Sequence, residues 1–133
     1  MTETFTVETE GTVSVTDVTD PVKKQIPLEV EAGLCTIHVP HTTAGVTVNE
    51  AESRLMTDIE TAVSALFADE RDYCHDEIDD NAVAHLQSML LGSNVTVPIT
   101  AGDLALGTWQ SILLFDGDGP RTRTVSVTVV DRT

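Results

Sequence analysis

The segment of residues 121–130, RTRTVSVTVV, alternates with a period of two, which is the pattern of a half-buried β-strand. Val125, Val127 and Val129 share one face with Arg121 and Arg123, because side chains two residues apart point to the same side of a strand. Arginine is almost never buried without a partner, so we expect an anion beside this face. A bound phosphate and an acidic side chain are both candidates for that anion. The remaining alternatives are a strand buried against another subunit and simple exposure at a sheet edge.

Strand patterns recur along the rest of the chain. Phe5 and Val7, followed by a turn at Glu10-Gly11 and by Val13 and Val15, predict an N-terminal hairpin. Further strands are predicted over residues 33–39, 94–100, 104–115 and 121–130.

Two segments have helical periodicity. The first begins near Asn49, since Asn49 and Glu52 have the spacing of a capping box. The second runs from about Asp80 to Leu91, with Asp79 or Asp80 as its cap and Gly92 as its stop. Leu86 and either Leu90 or Met89 are expected to face inward. A short helix follows Asp20-Pro21, and the acidic residues 68–80 form a loop. Strands and helices in this order predict an α+β domain, with helices packed on antiparallel sheets.

Charge limits the partners of this chain. It has 22 acidic residues against 7 lysines and arginines, a net charge of −15 over 133 residues. Such a surface repels nucleic acid and anionic lipid, and it is typical of proteins that fold in molar salt. The length predicts one domain over residues 1–133. Because no apolar run approaches the ~20 residues of a membrane span, we expect a cytoplasmic protein without membrane partners.

Histidines are the main candidates for chemistry. His41, His75 and His85 stand in polar or helix-edge contexts, and with a carboxylate such as Glu50 or Asp76 they would suit zinc or another late first-row metal. Their spacing matches no compact motif, so the fold must bring them together. A surface-loop role for His41 and a core-edge role for His85 are the alternatives. His38 lies in an apolar strand and is interpreted as a hydrogen-bonded core or interface residue.

The segment GTWQ adds Trp109 and Gln110, which could wall and orient a ligand, although Trp109 could also serve packing alone. Arg121 and Arg123 could bind phosphate oxygens, since a guanidinium makes two parallel contacts.

Three segments together carry a family resemblance. They are VPHTTAGVTVNE (39–50), DDNAVAHLQSMLLG (79–92) and LALGTWQSILLFDGDGPRTRTV (104–125), and in that order they resemble the motifs of the YjbQ-like family. The resemblance covers nearly the whole chain, and the acidic composition looks like that of a haloarchaeal member. It implies a cytoplasmic single-domain α/β sandwich of twisted antiparallel sheets with two main helices, which associates as a homotrimer.

The resemblance also implies a weak secondary thiamine-phosphate synthase. This transferase joins hydroxymethylpyrimidine pyrophosphate to thiazole phosphate and releases pyrophosphate. The matching positions imply that His41, His85 and Glu50 act in catalysis. They also imply a divalent metal, zinc or magnesium, on His41, His75 and His85. Val83 departs from relatives with a polar or histidine residue there, so fewer histidines are expected around the metal.

The implied substrate-binding residues are Asn49, Trp109, Gln110, Arg121 and Arg123. The substrate would be a phosphorylated small molecule. Two other functions stay open: a non-catalytic trimer that binds a metal or small molecule, and a metal-dependent hydrolase. The sequence has no HExxH or GxSxG signature, which argues against the hydrolase.

Overall fold

Two antiparallel sheets and three α-helices make up the computed structural model, which describes residues 1–68 and 70–133. The strands are β1 (Thr2–Glu8), β2 (Ser14–Asp17), β3 (Gly33–His38), β4 (Ala44–Asn49), β5 (Asn94–Thr100), β6 (Asp103–Leu104), β7 (Ser111–Asp116) and β8 (Thr122–Asp131). The helices are α1 (Thr19–Lys23), α2 (Ser53–Leu66) and α3 (Ala82–Leu91), and a 3₁₀ turn spans Cys74–Glu77. The predicted α+β class is confirmed.

The strands form a five-stranded sheet in the order β1-β8-β3-β5-β6 and a three-stranded sheet in the order β2-β7-β4. The hydrophobic core joins buried residues of β3, β5 and β8 to Val46, Ile112 and Leu114 of the small sheet. Leu113 and Phe115 of β7 point away from the large sheet and are nevertheless buried. Helices α2 and α3, which contact the small sheet, cover that second face.

The predicted N-terminal hairpin is wrong. β1 pairs with β8 in the large sheet, whereas β2 pairs with β7 in the small sheet. Between them the chain runs beside the β7–β8 turn, where the Thr9 amide donates to Arg121 O and Thr12 O accepts from the Gly119 amide. A ladder with β8 extends along the whole of β1, so distant pairing replaces the local turn.

The single predicted strand over residues 104–115 is also divided. β6 belongs to the large sheet and β7 to the small one, and residues 105–110 cross between them. Gln110 holds that crossing, since its Oε1 accepts the Gly107 amide at 2.8 Å.

The first helix starts later than predicted. Asn49 is the last residue of β4, opposite Ser111 of β7. α2 begins at Ser53, and the Glu52 side chain caps it by accepting the Arg54 amide. The capping box therefore does not form, because strand pairing holds Asn49 in the sheet.

α3 ends at Gly92 as predicted, but its buried face differs from the prediction. Met89 is 83% exposed and Leu90 57% exposed, whereas Ala84, Gln87 and Ser88 are buried. Small side chains let α3 lie close to β4, where the Ser88 hydroxyl donates to Ala44 O at 2.6 Å. The cap also differs, because Asp76 in the 3₁₀ turn accepts the Ala82 amide at 3.0 Å in place of Asp79 or Asp80.

Gly45 allows this close approach. A Cβ there would lie 2.8 Å from Gly92 O and 3.2 Å from Leu91 Cβ. We expect Gly45→Ala to lower the free energy of unfolding by ~1–3 kcal/mol in urea titrations, since the helix end must shift. Thr96→Ala, on the exposed face of β5, is the control and should change it by less than ~0.5 kcal/mol. Equal losses in the two variants would contradict the close-packing argument.

The outer face of the large sheet is polar and almost free of acidic groups. Strand register places Thr2, Thr128, Thr36 and Thr96 in one row, with hydroxyl contacts of 2.9 Å between the first pair and between the second pair. Ser126, His38 and Asn94 follow in the next row.

No helix within the described ranges has the length and apolar character needed to span a membrane.

Candidate functional site

The arginine that shares a face with the valines of β8 binds an acidic side chain. Arg123 Nε donates to Asp116 Oδ2 at 2.9 Å, and Nη2 donates to Asp116 Oδ1 at 2.7 Å and to Thr43 Oγ1 at 2.8 Å. Both partners are buried, with 5% of the Arg123 side chain and none of the Asp116 side chain exposed. Asp116 shares the inward face of β7 with Ile112 and Leu114, so the pair bridges the two sheets. The geometry favours the salt-bridge alternative for Arg123.

Hydrogen bonds keep Asp116 ionised. Burial by itself would raise the pKa of its carboxyl, but donation from Arg123, the Asp118 amide and the Thr9 hydroxyl holds that pKa below its ordinary value. The Thr9 hydroxyl lies 2.7 Å from Oδ2 and the Asp118 amide 2.8 Å from Oδ1.

Arg121 differs from the prediction. It precedes β8 and lies on the turn of residues 117–121, and its side chain is 54% exposed rather than packed with the valines. Its Nε donates to Asp118 O at 2.9 Å, and Nη2 lies 3.2 Å from Asp118 Oδ2. The Thr9 hydroxyl accepts the Arg121 amide at 2.9 Å, which ties the turn to the end of β1. Arg121 is therefore accessible to a ligand, whereas Arg123 is enclosed.

His41 is held in one tautomer. β3 ends at His38, and His41 Nε2 accepts the Thr124 amide of β8 at 2.9 Å. The ring proton is then on Nδ1. Burial, followed by the positive charge of Arg123, lowers the pKa of His41 and favours the neutral ring. Nδ1–H is the group that His41 can offer to a ligand.

His75 and His85 meet edge to face. The 3₁₀ turn supplies His75 and α3 supplies His85, with ring centroids 4.6 Å apart at an interplanar angle of 84°. His75 Nε2 is buried and has no hydrogen-bond partner within the described chain. Two of the predicted metal ligands are thus adjacent.

A cavity of about 570 Å³, which we call the histidine cavity, lies between the end of β3 and α3. His38, His41 and His85 line it, together with Ser88 and Met89. His38 is exposed, not in the core. It follows the buried Ile37, so its side chain points to the outer face of β3. The alternation with buried Cys35 and Ile37 would have revealed this from the sequence.

Within the residues that the structure describes, no three His, Cys, Asp or Glu side chains could hold one metal ion together. His41 Nε2 is engaged by Thr124, and its Nδ1 carries the proton. The predicted three-histidine centre is therefore not assembled in one chain. The adjacent pair His75 and His85, with the unpartnered Nε2 of His75, is the part that fits a metal.

The other predicted residues lie at the opposite end of the small sheet. Ala44 is opposite Asp116, whereas Asn49 is opposite Ser111, which is ~17 Å further along the strands. Asn49 Oδ1 accepts the Glu50 amide at 2.8 Å. Trp109 and Gln110 stand on the crossing before Ser111, and Trp109 is 73% exposed. One chain thus separates the predicted site residues into two groups.

Comparisons with known proteins place these features in context. The family described as "UPF0047 protein YjbQ-like" matches residues 3–132. A UPF0047 protein of Archaeoglobus fulgidus is 44% identical over 123 residues, covering 92% of this chain and 96% of that protein. A hypothetical protein from Aeropyrum pernix K1 has a crystal structure with a TM-score of 0.95 at 42% identity, with 99% of each chain covered. A YbjQ-like protein of unknown function from Sulfolobus solfataricus P2 has a TM-score of 0.92 at 36% identity, covering 99% of this chain and 97% of that one.

Proposed function

This chain belongs to the YjbQ-like UPF0047 family, and from that premise we propose that it is a cytoplasmic transferase that makes thiamine phosphate. In this reaction the thiazole nitrogen attacks the methylene carbon of hydroxymethylpyrimidine pyrophosphate. A C–N bond forms, the C–O bond breaks, and pyrophosphate leaves with the bonding electron pair. The protein needs no nucleophile of its own, but it must stabilise the leaving group and orient two rings.

The observation that carries the proposal is the histidine cavity. Three imidazoles line one concavity of about 570 Å³ in a chain of net charge −15. Neutral His41 would donate from Nδ1 to a phosphate oxygen, and His85 would donate to the departing pyrophosphate. Arg121, with its exposed guanidinium, would bind a phosphate group.

A divalent metal, zinc or magnesium, is part of the proposal. His75 and His85 would hold it, each through one ring nitrogen, which leaves the N–H of His85 to donate, and the metal would supply positive charge to phosphate oxygens. His41 acts through its own Nδ1–H in this arrangement. Arg123, engaged by Asp116, supports the position of Thr43 and the turn.

Association as a homotrimer would join the two groups of predicted residues. Asn49, Glu50, Trp109 and Gln110 lie too far from the histidine cavity in their own chain, so a neighbouring subunit would supply them. Trp109 would then wall the pocket and Glu50 would add a carboxylate. The exposed Met89 and Leu90 of α3 and the nearly uncharged outer face of the large sheet favour contact between acidic copies.

The test is thiamine phosphate formation from the two phosphorylated substrates in molar KCl, with Mg²⁺ or Zn²⁺ added. We expect His85→Ala and Arg121→Ala each to lower kcat/KM by about 100-fold, because each removes a donor to developing negative charge. Arg132→Ala is the matched control, since Arg132 is exposed beyond the opposite end of β8.

Other results would favour one of the two alternative functions, a non-catalytic binding trimer or a metal-dependent hydrolase. Stoichiometric ligand binding without turnover in folded wild-type protein would indicate a non-catalytic binding trimer. Pyrophosphate release that needs water but no thiazole phosphate would indicate a metal-dependent hydrolase. If Arg121→Ala kept full activity but dissociated the oligomer, the phosphate role of Arg121 would be wrong.

A further inference from the structure

A second cavity, of about 300 Å³, lies on the other side of α3 from the histidine cavity. α3 turns Ala84 and Gln87 toward it and His85 toward the histidine cavity, and no described residue lines both cavities. Carboxylates enter its wall from three places: Asp76 in the 3₁₀ turn, Asp80 before α3, and Asp118 in the β7–β8 turn. We call it the acidic cavity.

Gln87 gives this cavity an unsatisfied acceptor. Its side chain is almost fully enclosed, with the residue only 2% exposed. Nε2 donates to Val63 O at 3.5 Å, whereas Oε1 is buried and has no hydrogen-bond partner among the described residues. An acceptor buried in this way is costly unless a donor reaches it. Acidic side chains alone would be explained as part of a solvated surface. A buried amide oxygen in the cavity wall has no such explanation.

Asn81 repeats the arrangement. Its Nδ2 donates to Asp118 Oδ2 at 3.1 Å, and its Oδ1 is buried with no partner in the part of the chain that the structure describes. Both amides therefore give their NH₂ groups to the protein and keep their carbonyl oxygens for something else. Asp76 and Asp80 add two carboxylates, and Asp118 adds a third that already pairs with Arg121 Nη2 at 3.2 Å, so the wall offers acceptors and a net negative charge. A ligand here must bring donors and positive charge.

The backbone of the β7–β8 turn keeps this space open beside Gln87. Gly117 lines the cavity, and a Cβ at that position would lie 2.5 Å from Gln87 Oε1 and 3.2 Å from Ala84 Cβ. Any side chain there would displace the amide oxygen from its place in the wall. Glycine thus preserves the acceptor.

We propose that the acidic cavity binds Mg²⁺ with its water shell largely intact. In the described part of the chain no three carboxylate, imidazole or thiolate groups could hold one bare ion, which disfavours dehydrated zinc or calcium. Mg²⁺ loses water reluctantly and is often held through only one or two carboxylates. Since a water occupies ~30 Å³, an ion with six waters fits about 300 Å³. Those waters are donors for Gln87 Oε1 and Asn81 Oδ1, and the carboxylates balance the charge. The proposal does not rest on the proposed reaction, although Asp118 also holds Arg121.

The test is the thermal midpoint of the full chain as MgCl₂ is titrated at constant 2 M KCl, which holds general charge screening fixed. At saturating Mg²⁺ we expect Tm to rise by roughly 5–10 °C. Gln87→Leu and Asp118→Asn should remove most of that rise. Gln87→Leu keeps a side chain of similar volume and deletes the buried acceptor, so it should fold and have a higher Tm than wild type without Mg²⁺.

Two controls locate the ion. Asp58→Asn, an exposed acid on α2, should keep the rise, and His85→Ala should keep the part of it that Gln87→Leu removes, because His85 lines the other cavity. Hexaamminecobalt(III), which mimics a hydrated ion and cannot shed its ligands, should reproduce the stabilisation in wild type and lose it in Gln87→Leu.

Four results would overturn the proposal. No rise in wild type would mean that the cavity holds only water. An equal rise in every variant would mean general screening, and a rise lost only in His85→Ala would place the ion at the histidines. A rise with Mg²⁺ that hexaamminecobalt(III) does not reproduce would mean that the ion is not bound with its water shell intact.

Discussion

Arg123→Ala is expected to lower the free energy of unfolding by ~3–5 kcal/mol at pH 7, the largest stability loss that we expect from one substitution here. The variant leaves Asp116 ionised and enclosed between the two sheets, with no exposed side-chain surface and no cation. It also removes the donor to Thr43. Urea unfolding in molar KCl measures the loss, and Arg132→Ala, at an exposed position, should change stability by less than ~0.5 kcal/mol.

The pH dependence separates a charge effect from a cavity effect. In wild type the pKa of Asp116 is lowered on folding, so its contribution to stability is present above the ordinary carboxyl pKa and is lost as pH falls through the folded value. Without Arg123, burial dominates and raises the pKa of Asp116 above its unfolded value. The variant then takes up a proton on folding. The deficit relative to wild type should therefore shrink between pH 7 and pH 4. A deficit that stays constant over this range would reject unpaired charge as its cause.

Tm is expected to rise by about 10 °C between 0.1 M and 2 M KCl, since self-repulsion destabilises the compact state. With 22 acids and 7 lysines and arginines, most carboxylates have no cation to pair with. Raising the salt from 0.1 M to 1 M shortens the screening length from ~10 Å to ~3 Å. This is the behaviour that we propose for a member of the family adapted to molar salt.

A local cluster provides the matched variant for this prediction. Glu8, Glu10 and Glu60 line one shallow surface depression. Glu8→Gln with Glu10→Gln should raise Tm at 0.1 M KCl and reduce the further rise with salt. A wild-type Tm that does not depend on KCl would show that the charge is tolerated without screening.

Elements whose signals are local could be predicted from the sequence. The valine alternation of β8, the apolar run of β3 and the helix stop at Gly92 all lie where expected. Partners of strands could not be predicted in this way. A turn at Glu10-Gly11 permits a hairpin, but the longer ladder with β8 brings β1 into the other sheet.

The partner of Arg123 was in principle within reach of the sequence. Asp116 alternates with Ile112 and Leu114, so the same period that turned Arg123 inward also turned this carboxylate inward. The buried face of α3 could not be predicted from the sequence. Its small and polar residues pack inward while Met89 and Leu90 are exposed, which depends on how closely the helix approaches β4. The separation of Trp109 from the histidines likewise follows from sheet topology.

The turn between β7 and β8 is closed at its base by the pair of Asp116 and Arg123. Along its length the amides of Asp118, Gly119 and Arg121 are bonded to Asp116, Thr12 and Thr9. Such a loop loses its conformational entropy when the chain folds, so a ligand that meets Asp118 or Arg121 need not order it again. Preorganisation of this kind slows dissociation more than it speeds encounter. Substitutions at Thr9, which lies at the base of the turn, would then alter residence time without touching the ligand.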